Sequence, residues 1–92
     1  MHEIMFAGER LLTTDAVADA LLQYAHRLAE LGRHDVVAIP VIEDGAATTC
    51  RLLLAPTTSL GVVRQSRTEA QLPGADEAFT DLSERMASLR VS

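Results

Sequence analysis

Apolar residues recur along this chain at two periods. Val17, Leu21, Tyr24, Leu28 and Leu31 step by four, three, four and three, and Ala75, Phe79, Leu82, Met86 and Leu89 repeat those steps. That rhythm keeps one face of an α-helix turned toward one neighbour, so it predicts two amphipathic helices. The first runs from Ala16 to Leu31, with Thr13, Thr14 or Asp15 as its N-cap and Gly32 in the left-handed position that stops it. The second starts near Ala75 or Asp76. Asp76 and Glu77 suit its first turn and Arg85 and Arg90 its C-terminal part, because a helix is positive at its start and negative at its end.

Shorter runs predict strands. Ile4 to Phe6 and Arg10 to Leu12 flank Ala7-Gly8-Glu9, where glycine supplies the positive φ of a tight turn, giving an N-terminal hairpin. Val36 to Ile42 meets Ala46 to Leu54 across Asp44-Gly45, the strongest two-residue hairpin signal. Pairing across that turn sets Val37 with Leu52, Ile39 with Cys50 and Val41 with Thr48 on one face. Val36 with Leu53, Ala38 with Arg51 and Pro40 with Thr49 take the other. Proline cannot donate to a ladder, so its strand is expected to be an edge or to carry a bulge. After the turn at Pro56 to Ser59, Leu60 to Gln65 is either a third strand of a meander or an irregular segment, with the strand preferred. Residues 66–74 are polar, end in Pro73-Gly74, and read as an exposed connection.

The order ββαββ(β)α predicts an α+β two-layer sandwich: an antiparallel sheet of four or five strands with two helices on one face. At 92 residues the chain holds one core, so a single domain spanning 1–92 is expected. The first helix carries a second ridge of small and apolar residues, Ala18, Leu22, Ala25 and Ala29. It permits close approach of another helix, either the C-terminal one or the same helix of a second copy.

Composition sharpens this. A hydrophobic share of 48% and a mean hydropathy of +0.13 leave more apolar surface than a 9.9 kDa monomer easily hides. A homodimer or another protein partner is therefore expected. Thirteen acidic residues against eight basic ones give a net charge of −5, which opposes duplex DNA and anionic membranes. Every basic residue is Arg, as in a GC-rich bacterial genome, so no lysine chemistry exists here. Cys50 stands alone, and no run approaches the roughly 18 apolar residues of a membrane span. With an acidic N-terminal segment where a signal peptide would be basic, a cytoplasmic protein is expected.

Candidate chemistry is sparse. Cys50 shares a face with Leu52 and Leu54, where a thiol behaves as a small hydrophobe. His2, His26 and His34 have no metal-ligand spacing, and no cofactor motif is present. His26 is the one acid-base candidate, with Glu30 one turn on and Asp19 and Gln23 beside it, but a solvated i,i+4 pair explains it as well. Charge is unevenly spread. Met1 to Asp35 holds six acids and three Arg, Val36 to Arg67 two acids and three Arg, and Thr68 to Ser92 five acids and two Arg. Arg51, Arg64 and Arg10 could share the open sheet face and clamp an anion or an acidic partner. Such a patch requires the strand at 60–65 to lie beside Ala46 to Leu54. Phe6, Tyr24 and Phe79 are wanted in the core, which removes RNA stacking. The expected function is a protein-interaction or self-associating module. An anion- or small-ligand-binding domain is the alternative, and a small enzyme using His26 a third.

Overall fold

Two tight turns with positive φ at both central residues organise the strands of the computed structural model, which describes residues 1–64 and 72–89. Ala7 and Gly8 (φ 50° and 84°) join β1 (His2–Phe6) to β2 (Glu9–Thr13). Asp44 and Gly45 (φ 52° and 79°) join β3 (Asp35–Glu43) to β4 (Ala46–Leu54). Turns of this hand match the twist of the strands they connect. The β3–β4 register follows from the turn: Val37 faces Leu52, Ile39 faces Cys50 and Val41 faces Thr48, as the sequence predicts.

The Thr14 hydroxyl accepts from the Val17 N–H at 3.2 Å and so starts α1 (Asp15–Glu30). Gly32, at φ 66°, follows its end. Val17, Leu21, Tyr24 and Leu28 are buried, while Leu31 at the C-cap is exposed and does not complete the stripe.

All five strands form one antiparallel sheet in the order β4-β3-β2-β1-β5, with two helices completing a two-layer α+β arrangement. β5 (Leu60–Arg64) is a strand, but it is not the third strand of a meander. It pairs with β1, setting Leu60 opposite Phe6 and Val62 opposite Ile4. That pairing covers the flank of β1, which carries the fully buried Ile4, and extends its apolar face.

Pro40 does not lie on an edge strand, because β3 pairs with both β4 and β2. The rule against proline is nonetheless met locally. β2 joins β3 only at Leu12 opposite Ile42 and ends at Thr13, so no strand continues beside Pro40. The Pro40 carbonyl accepts from the Thr13 hydroxyl at 2.8 Å and therefore points away from β4. A residue in an antiparallel pair sends its N–H and C=O to the same side, so the missing donor of Pro40 costs no ladder bond.

α2 (Ala75–Leu89) runs beside the length of β3 that β2 leaves uncovered. Gly74 lies beside Pro40, where an added Cβ would be in ordinary contact with the proline ring at 3.9 Å, and Arg85 reaches the Val36 carbonyl at 3.4 Å. Ala78, Leu82 and Leu89 are buried, whereas Phe79 is 44% exposed. The buried arc is centred one step to the Ala78 side of the expected stripe, which turns the Phe79 ring outward. Gln65 of the expected strand, residues 66–71 of the expected exposed connection, and Arg90 lie outside the described residues; Pro73 and Gly74 are exposed, but Leu72 is buried.

Ile4, Leu21, Leu28, Ile39, Leu54 and Leu82 are the largest fully buried side chains of one contiguous core. Leu28→Ala and Leu82→Ala are each expected to cost about 2–5 kcal/mol in urea unfolding, with Glu30→Ala nearly silent. Ala7→Asn should raise stability by up to about 1 kcal/mol in the same experiment, since asparagine tolerates the left-handed backbone better than alanine.

Candidate interaction surface

Strand alternation and the pairing register separate the sheet into a core face and an open face. Ile4, Leu11, Val37, Ile39, Val41, Leu52 and Leu54 face the core. Met5, Arg10, Leu12, Val36, Ala38, Arg51, Leu53 and Val63 lie on the open face. This face carries unusual apolar exposure. Val36 and Leu53 are direct cross-strand partners, 46% and 54% exposed, and Met5 on β1 and Val63 on β5, diagonal neighbours in the register, are exposed as well. With about half of each left uncovered, such side chains forgo about 1 kcal/mol each relative to full burial, so a partner surface gains by covering them.

The three arginines do not converge. Arg51 is on β4, at one edge of the sheet, and Arg64 is on β5, at the other. They also sit on opposite faces, because Arg64 is in register with His2 and Thr13 on the core side. The shared patch expected of Arg51 and Arg64 is therefore not formed: the strand it required pairs with β1. Arg10 is on the open face, 3.6 Å from Glu3. Arg64 lies near Asp15, whose carboxyl is held below the usual carboxylate range. A hydrogen bond from the α-ammonium of Met1 is the main cause, with His2 and Arg64 adding attraction against the cost of burial. His2 Nδ1 is also 2.9 Å from this carboxylate, though not aligned for a hydrogen bond.

The small-residue ridge of α1 does not receive α2. A groove of about 310 Å³ between the helices is lined by Ala16, Ala20 and Gln23 on one side and Phe79, Leu82 and Met86 on the other. Ala18, Leu22, Ala25 and Ala29 lie roughly half a turn away from that flank. Ala18 is fully buried and Ala25 packs against the core, leaving Leu22 and Ala29 as the exposed members.

Other candidates have structural surroundings. His26 is exposed, 3.7 Å from Glu30, as a solvated i,i+4 pair. The Cys50 thiol is half-buried against the core, and burial with the nearby Glu43 charge pushes its pKa up. Among the described residues no group of three metal-ligating side chains forms, and no helix is long and apolar enough to cross a membrane.

The sequence reading missed the most connected polar cluster. The Asp35 carboxylate accepts from the Tyr24 hydroxyl at 2.6 Å, from Arg85 at 2.7 Å and from the Val36 N–H at 2.8 Å. Arg85 also donates to Asp81 at 2.9 Å, so one cluster ties α1, β3 and α2 together. Burial works against the charged form of Asp35, but the donors from Tyr24, Arg85 and Val36 outweigh it and hold its pKa low. Burial, reinforced by the Asp35 partner, pushes Tyr24 up to about 12. A tyrosine inside an apolar stripe was the available signal, since a buried phenol needs a partner.

No protein-family profile, curated protein or solved structure matches this chain.

The cluster has a pH signature. Tyr24 has a folded pKa above its unfolded value near 10, so its stabilisation is complete below about pH 10 and is lost as pH rises toward 12. Asp35 has the opposite sign: its contribution is present above an unfolded pKa of about 3.9 and is lost as pH falls through the lower folded value. Tyr24→Phe should lower stability at pH 7 by about 1–2 kcal/mol and flatten the alkaline limb, read from urea unfolding at a series of pH values.

Proposed function

We propose that this protein is a protein-interaction module that binds its partner, a second copy or another protein, along β4 and the adjoining open face. The observation that carries the reading is the character of β4. It is a nine-residue edge strand on which Ala46 to Thr49, Arg51 and Leu53 are exposed, and it borders the exposed Val36–Leu53 pair. Edge strands of soluble proteins are usually blunted by lysine, proline, a bulge or inward charge. β4 has no lysine, proline or inward charge, its one outward charge is Arg51, and its nine residues pair with β3 one for one.

Strand addition supplies affinity through backbone hydrogen bonds and specificity through side chains on alternate positions. Arg51 gives the surface one cation for an acidic group on the partner. A binding role is preferred to a catalytic one because the acid-base candidate His26 is an exposed pair with Glu30 on α1. A reducing cytoplasm suits the single free thiol.

The test is site-specific photo-crosslinking in cells, with benzoylphenylalanine at Leu53 and, as a control, at the exposed Glu84 on α2. Discrete adducts are expected from Leu53 and none from Glu84. A folded protein that forms no adduct from Leu53 would overturn the reading.

A further inference from the structure

We infer that β4 pairs with β4 of a second copy, antiparallel about a twofold axis at Cys50, so that the two sheets become one. This deepens the interaction reading by naming its occupant, and it rests on that reading.

Three observations fix which backbone groups of β4 are free. The Val36 N–H donates to its own Asp35 carboxylate and the Val36 carbonyl accepts from Arg85, so Val36 does not exchange bonds with Leu53. Pro40 has no N–H to give Thr49, and its carbonyl points to Thr13. The Leu53 carbonyl accepts at 3.4 Å from the Thr58 hydroxyl, outside the β3–β4 ladder. Antiparallel pairs alternate between bonded and non-bonded, so Ala47, Thr49, Arg51 and Leu53 direct their N–H and C=O away from β3. Among the described residues no strand takes them up.

A twofold-related copy can pair only in a register that sets these positions against one another. Three central registers qualify. One places Arg51 against Arg51 of the other copy, which like charge disfavours. A second places Thr49 against Thr49 and leaves both strand ends unpaired. The third places Thr49 against Arg51, and Ala47 against Leu53, with Cys50 at the axis. It alone pairs the whole of β4.

The third register supplies about eight backbone hydrogen bonds, two of them to the second lone pair of a Leu53 carbonyl that Thr58 already reaches, comparable to the ten or so of a standard interface. β4 carries no carboxylate, so the net charge of −5 does not repel across the strand itself. Leu53, the most exposed of the large apolar side chains, gains the neighbouring Ala47.

Cys50 is a built-in reporter of this register. At the axis it faces its own copy as a non-bonded pair with Cα atoms about 4.5 Å apart, within the range a disulfide spans. Diamide, a two-electron oxidant, would take up the two thiol hydrogens as the S–S bond forms. Thr48, more exposed than Cys50, would lie roughly 13 Å from its own copy and out of reach.

The experiment combines light scattering, diamide crosslinking on non-reducing gels and two variants of the full chain. The expected result is a mass twice 9.9 kDa at high micromolar concentration. Crosslinking through Cys50 should be at least about tenfold faster than in Cys50→Ser/Thr48→Cys, as bonding distance against a 13 Å gap requires. Thr49→Pro should abolish both dimer and crosslink with the far-UV circular dichroism unchanged, because that N–H makes no bond to β3. If Thr49→Pro fails to fold, the Cys50 and Thr48 comparison decides alone. A monomer overturns the proposal, as does a dimer whose Thr48→Cys form crosslinks as fast as Cys50. A monomer whose Leu53 photo-adduct contains a different protein overturns the self-pairing and leaves the interaction reading standing; a monomer with no adduct overturns both.

Discussion

The mismatch in strand length between β2 and β3 governs the rest of this molecule. β2 has five residues and β3 nine, and they meet only at Leu12 opposite Ile42, so β3 projects beyond the neighbour that should satisfy it. Backbone polar groups left unpaired in a packed setting cost about as much as lost hydrogen bonds. Each visible response is a side-chain substitute for the missing strand. Thr13 donates to the Pro40 carbonyl, Asp35 accepts from the Val36 N–H, and Arg85 reaches the Val36 carbonyl. Proline at position 40 removes one donor that would otherwise need a partner.

Once side chains satisfy that edge, α2 can lie along it. Arg85 is held between Asp35 and Asp81, and Tyr24 closes the cluster from α1. The polar cluster contributes direction more than net energy, since charges drawn from water return little beyond their desolvation cost. The energy comes from Ala78, Leu82 and Leu89 joining the core with Leu28 and Ile39. Asp35 then selects how α2 is turned, and that rotation leaves Phe79 in the groove against Ala16 and Ala20.

With α2 devoted to β3 and β5 to β1, nothing among the described residues pairs with the other side of β4. α2 and β5 cover the flanks of β3 and β1, which put Val37, Ile39, Val41 and Ile4 in the core; β4, with Leu52 and Leu54 in the same core, has no such cover among the described residues. The least protected strand is therefore the one with its own exposed apolar neighbour, Leu53 beside Val36. That exposed pair follows from how cover was allotted among the strands.

Local features were legible in the residues themselves. Both helices, the Gly32 stop and the β3–β4 register follow from periodicity and from the few residues that accept positive φ, constraints that act within a turn or a hairpin. The exposed face of β4, with Arg51 and Leu53 outward, follows from that register alone. The partner of β5 did not, because pairing with β1 or β4 satisfies the same alternation, and only the need to cover Ile4 distinguishes them. Nor did the flank of α1 that meets α2, since Ala16-Ala20 and Ala18-Leu22-Ala25 are both small enough for close approach. Asp35 and Arg85, fifty positions apart, carry no mutual signal in the sequence. The chain's local geometry was fixed by short-range sterics and hydrophobic rhythm; which strand edges are covered was decided by packing between distant segments competing for one core.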